Sequence, residues 1–149
     1  MRGFFDGNRL NVRSYISMMR QEKMTKSPFK GTTGFKRIWN AYHYSLAGLV
    51  SAYRHESAFR QEVALGLPLV ITALVFPVSY LSKALMICTV LLVLIVELLN
   101  SGIEAIVDRV SLETHELSKR AKDIGSAAVF ISLINCILVW AFVLLDQFL

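Results

Sequence analysis

Charge is missing from three long stretches of this 149-residue chain, residues 63–81, 84–96 and 125–145. About 20 mostly apolar residues suffice to cross a bilayer. With 54% apolar residues and a mean hydropathy of +0.50, an ordinary soluble domain is excluded. The first and third stretches are long enough to span alone. The second qualifies only if its helix runs on into the charged residues that follow. Three spans in so short a chain leave no room for a separate catalytic domain, so any chemistry has to be built from the helices and their flanks. Only two cysteines are present, Cys88 and Cys136, both within apolar stretches. Their spacing excludes a thiolate metal site and suits small buried hydrophobes. His43, His55 and His115 are scattered, and none pairs at metal-ligand spacing within a helix. There is no G-x-x-x-x-G-K-S/T loop, no kinase Gly-rich loop and no G-x-S-x-G turn. A bound nucleotide would have to do without the usual glycine cradle.

Against this apolar background one acidic run stands out. Glu97-Leu98-Leu99-Asn100-Ser101-Gly102-Ile103-Glu104-Ala105-Ile106-Val107-Asp108 continues the second apolar stretch directly. On a helix, Glu97, Asn100, Glu104 and Asp108 fall at i, i+3, i+7 and i+11, all on one face. Carboxylates at membrane depth are costly and mark functional positions. An isolated Asn or Glu can serve as hydrogen-bonding glue between helices. Two carboxylates on one face repel each other, and a divalent cation or a proton relieves them. Mg²⁺ favours oxygen ligands and takes one or two carboxylates plus phosphate oxygens, which makes Glu104 and Glu56 the candidate ligands. Glu97, deeper in the helix, suits a general base acting on a lipid headgroup hydroxyl, with Asn100 orienting either group.

The basic residues set an expected topology. Eleven of the 16 Lys and Arg precede the first span, Lys83 alone lies between spans one and two, and four lie between spans two and three. After Gly125 there are none. The positive-inside rule then puts the N-terminus and the second link in the cytoplasm, with the C-terminus outward. Glu97 is fourteen residues past Lys83. At 1.5 Å per residue it lies about 21 Å into a roughly 30 Å core. Glu104 and Asp108 then reach the cytoplasmic boundary, so the acidic face leads from lipid to water. The net charge of +5 suits contact with anionic headgroups and follows no nucleic-acid-binding motif.

The flanks add further candidates. Phe35, Ile38, Trp39, Tyr42, Leu46, Leu49, Val50 and Tyr53 recur in steps of three and four, which predicts an amphipathic surface helix over 35–54. Small residues on its other side would admit a helix or a ligand. Residues 56–62 form a charged lead into span one, where Pro68 predicts a kink and Pro77 a helix end. The link 111–124 is short and charged and could meet a nucleotide. Residues 1–33 read as a disordered or dispensable extension, and Met24 looks like a natural start.

These residues carry a resemblance. Glu56-Ser57-Ala58-Phe59-Arg60-Gln61-Glu62, the acidic run from Glu97 to Glu104, Asp108-Arg109, and the run from His115 to Ala128 agree in order and spacing with the small prokaryotic diacylglycerol kinases. The resemblance covers roughly residue 34 to the C-terminus. It implies an all-α integral membrane homotrimer with an N-terminal surface helix and three transmembrane helices, at about 63–81, 84–107 and 125–148, in the bacterial inner membrane. It implies direct in-line transfer of the ATP γ-phosphate to diacylglycerol, making phosphatidic acid. Glu97 would be the catalytic base, and Glu56 and Glu104 would hold the Mg²⁺ carried by ATP. Arg37, Tyr44, Glu113, Thr114, His115, Lys122 and Asp123 would contact the nucleotide. The lipid would meet Arg37, Ala41, Tyr42, His43, Tyr44, Ser45 and Leu46. It would also meet Val50, Ser51, Ala52 and Tyr53, then Ala58, Phe59, Arg60, Gln61, Glu62 and Ser126, with Asn100 and Asp108 in support. A sister group that phosphorylates undecaprenol shares the acidic helix and stands as the alternative. A non-enzymatic bundle lined by acids is a further one, which the uncharged outer half of span two disfavours.

Overall fold

The computed structural model describes residues 34–110 and 115–148. The 1–33 extension, Glu113 and Thr114 lie outside the described residues. The described residues form four helices: α1 (Phe35–His55), α2 (Ser57–Val75), α3 (Tyr80–Val110) and α4 (Glu116–Phe148). Three of them, α2, α3 and α4, are long and apolar enough to cross a membrane. The chain divides into two compact units, Met1–Tyr44 and Ser45–Leu149.

Helix ends differ from the hydropathy boundaries for local reasons. α2 starts at Ser57, not near 63, because the charged residues 57–62 are good helix material and only Glu56 interrupts the chain between α1 and α2. Glu56 is extended (φ −102°, ψ 114°), and its N–H still bonds Ala52 O at 2.8 Å. Arg60 reinforces the joint, with Nη1 donating to Tyr53 O (3.2 Å) and Arg54 O (3.1 Å), carbonyls at the end of α1. α2 runs through Pro68 and ends at Val75, well short of residue 81. Phe76 precedes Pro77, and a proline pushes its predecessor out of the helical region, here to ψ 139°. Lys83 Nζ donates to Leu74 O at 2.7 Å and caps the freed carbonyl end. Ser79 then starts α3, its Oγ accepting from Ser82 N–H at 3.1 Å. α4 begins nine residues before Gly125, capped by His115, whose Nδ1 accepts from Leu117 N–H at 3.2 Å.

α3 packs against both α2 and α4. Val90, Val93 and Cys136 form the core, with Val70 and Trp140 against it. Met86 is fully buried, and its carbonyl accepts the Trp140 indole N–H at 3.2 Å, tying α4 to α3. Gly66 lets α2 approach, since a Cβ there would stand 3.0 Å from Val90 Cγ1. Cys136 is buried and Cys88 exposed, both free. Most large apolar side chains of the three long helices face outward, among them Leu67, Ile95, Phe130 and Phe142. In the first unit, the Trp39 ring meets His43 edge-on at 5.0 Å and lies 6.2 Å from Tyr42.

Candidate functional site

Midway along α3 the lining changes from apolar to polar. Glu97 (4% exposed), Asn100 and Ser101 are buried among hydrophobic neighbours. The 3.6-residue repeat carries the same face to Glu104, where Asn100 Nδ2 donates to Oε1 at 3.0 Å. Glu97 lies within electrostatic reach of both Glu104 and Glu56. The fold therefore brings Glu56 within electrostatic reach of Glu97, although the two are 41 positions apart in the chain. Glu56 occupies the N-cap of α2 but makes no side-chain cap bond, so its carboxylate is not committed to its own helix. Glu62, one and a half turns further on, also senses the Glu97 charge.

Three polar atoms here are buried with no hydrogen-bond partner: Asn100 Oδ1, Ser101 Oγ and Glu62 Oε2. Each such atom costs about 1–3 kcal/mol when left unpaired. Native proteins keep few such atoms, and each calls for a reason such as strain, a catalytic role, a water or an ion.

A groove of about 580 Å³ opens between the last part of α1 and α3. Ser45, Gly48, Ala52 and Glu56 line one wall and Leu98, Ser101, Gly102 and Ala105 the other. A Cβ at Gly48 or Gly102 would meet nothing within 4 Å, so the small residues leave space here rather than a tight helix contact. On the far side of the acidic face, Lys122 Nζ pairs with Asp108 Oδ1 at 2.6 Å and lies within electrostatic reach of Glu104. A second, smaller cavity of about 150 Å³ has Glu62 at its edge and apolar walls from α2, α3 and α4, including Leu65, Leu69, Val93 and Ile137.

The other expected site residues differ in exposure. Phe59 and Ala52 are buried, while Ala58, Gln61, Asp123 and Ser126 are exposed. Val50, Ser51 and Tyr53 are exposed on α1, as is Leu46. Arg37, Ala41, Tyr42, His43 and Tyr44 belong to the first unit. The His115 ring is engaged in capping α4. Two residues beside the polar face were not expected from the sequence, Ser101 and Gly125. The signal available was their small size on membrane helices, which is also the ordinary signature of helix packing.

Among the described residues no cluster of three or more His, Cys, Asp or Glu is placed to hold a metal alone. The donor set still fits Mg²⁺, which takes one or two carboxylates and completes its shell with phosphate oxygens and water.

Comparison with known sequences places the chain in a family. The sequence model of the prokaryotic diacylglycerol kinase family matches residues 43–144. The diacylglycerol kinase of Pseudomonas aeruginosa is 59% identical over 122 residues, 82% of this chain and 99% of that one. The diacylglycerol kinase of Escherichia coli K12 is 50% identical over 117 residues, 78% of this chain and 96% of that one. The diacylglycerol kinase of Helicobacter pylori strain 26695 is 44% identical over 116 residues, 78% of this chain and 91% of that one. A membrane helix with a buried acidic face, matched along most of its length to these enzymes, has one family reading: the chain belongs to the prokaryotic diacylglycerol kinases.

Proposed function

We propose that this protein transfers the γ-phosphoryl group of ATP to the primary hydroxyl of diacylglycerol, making phosphatidic acid at the cytoplasmic face of a bacterial inner membrane. The observation that carries the reading is the buried Glu97 sharing one helix face with Asn100 and Glu104, within electrostatic reach of Glu56. Family membership supplies the substrate class.

In this mechanism Glu97 accepts the proton of the lipid hydroxyl as its oxygen attacks the γ-phosphorus in line and ADP departs. Burial of Glu97 excludes competing water from that oxygen. Glu56 and Glu104 would hold Mg²⁺, which would neutralise charge on the phosphate oxygens. Lys122 adds a second positive charge for the triphosphate. Asn100 fixes the direction of the Glu104 carboxylate. Such transfer is mostly positioning and charge neutralisation, so a Gly-rich loop is dispensable. The amphipathic α1 lies on the cytoplasmic surface, and the C-terminus of α4 faces outward. Three copies assemble, covering apolar surface that one chain leaves exposed.

The test is purified protein in mixed micelles with diacylglycerol, ATP and Mg²⁺. Phosphatidic acid forms, and undecaprenol in a parallel assay is a poor acceptor. No lipid-dependent ATP consumption refutes the kinase reading, and faster turnover with undecaprenol reassigns the substrate.

A further inference from the structure

α3 and α4 meet closely where Asn100 faces Gly125. Both residues are buried. A Cβ built on Gly125 would stand 3.2 Å from Asn100 Cγ and would collide with Oδ1. The carboxamide thus fills the volume that any side chain at 125 would claim. The backbone itself does not ask for glycine there: among the described glycines only Gly34 has a positive φ. A glycine inside a helix is less favourable than alanine. At Gly125 that cost is offset by close approach, and the group approached is the one that donates to Glu104 Oε1. The other end of the same amide, Oδ1, has no partner. The amide is thus bonded to Glu104 at one end and lies against the bare Gly125 backbone at the other.

We infer that Gly125 is a positioning residue: by lacking a side chain it seats the Asn100 carboxamide, which in turn aims the Glu104 carboxylate at the magnesium nucleotide. The inference rests on Glu104 being a metal ligand in the proposed reaction. An alanine at 125 displaces the amide and breaks its bond to Glu104. That carboxylate is then free to turn toward Lys122, already within its electrostatic reach. Groups that support a metal ligand from behind typically govern 10–100-fold in metal affinity.

The experiment compares wild type, Gly125→Ala, Asn100→Ala and the double variant, each as the full chain in lipid micelles. Mn²⁺ binding in the presence of a non-hydrolysable ATP analogue is read by electron paramagnetic resonance, beside the Mg²⁺ and lipid dependence of turnover. Each single variant weakens Mn²⁺ binding on the order of 10–100-fold. The KM for lipid does not change. The double variant is no weaker than Asn100→Ala, because the truncated side chain vacates the contested space. Wild-type Mn²⁺ affinity in Gly125→Ala overturns the inference, as do losses that add in the double variant. If Gly125→Ala fails to assemble, the double variant recovers assembly and binds Mn²⁺ as Asn100→Ala does; a further loss there overturns it equally. Since Mn²⁺ binding is read without turnover, an absence of lipid phosphorylation in the wild type counts against the proposed reaction, not against this contact.

Discussion

The two halves of α3 treat buried polar atoms in opposite ways. Around Met86 they are paired: Thr89 Oγ1 donates to Met86 O at 2.9 Å, and the Trp140 indole donates to the same carbonyl at 3.2 Å. Around Glu97 the atoms Asn100 Oδ1, Ser101 Oγ and Glu62 Oε2 are buried without partners. The first half is closed on itself, with Val90 and Val93 in the core. The second keeps buried polar atoms unpaired. Within one continuous helix, polar satisfaction is completed at one end and lacking at the other, and functional sites are where such local rules are expected to fail.

That contrast is open to direct attack, and the largest effect is expected at Glu97. Glu97→Gln keeps the shape and removes the proton acceptor. Phosphatidic acid formation falls by about 10²–10⁴-fold, the usual contribution of a general base, while nucleotide binding measured by calorimetry persists. Turnover near the wild-type rate would take Glu97 out of the mechanism. Glu104→Gln strikes the same face at the water side. Its loss exceeds the tens-fold typical of a supporting group and is recovered in part by raising Mg²⁺, with the Mg²⁺ concentration at half-maximal rate up by more than about 100-fold. An unchanged Mg²⁺ requirement would remove Glu104 as a ligand.

Lys122→Ala is milder. The pair with Asp108 is half-exposed, so thermal stability holds, while the KM for ATP rises on the order of tenfold with lipid KM unchanged. The smallest effect belongs to the closed half. Trp140→Phe deletes one interhelical hydrogen bond, worth about 0.6 kcal/mol in membrane proteins, and leaves both KM values and kcat as they were. A catalytic defect in Trp140→Phe would erase the distinction between the two halves.

The three long helices were legible because a bilayer demands uncharged runs, and 63–81, 84–96 and 125–145 supply them. Their ends were not, because hydropathy stops at the first charge whereas a helix does not. Glu116 to Asp123 joined α4 and Ser57 to Glu62 joined α2, each a turn or two before the apolar run. The other end of α2 was legible from proline rather than from hydropathy: the helix stops at Val75, as Pro77 predicts, although the uncharged run continues to 81.

The acidic face was legible in the same way, since Glu97, Asn100 and Glu104 lie within two turns and a single helix period relates them. Glu56 entered as a ligand candidate from the chemistry of Mg²⁺, and nothing local to it says which carboxylate it will meet. The approach of Gly125 to Asn100 left no mark beyond a small residue in an apolar helix.

Sequence periodicity was enough to settle that this chain makes apolar helices and that one of them carries acids along one side, because both properties repeat over a few residues. That Glu56 comes within electrostatic reach of Glu97, that Gly125 approaches Asn100, and where a groove opens between α1 and α3 were settled only by packing. Those contacts join positions tens of residues apart, and distance along the chain says nothing about which side chains a fold will press together.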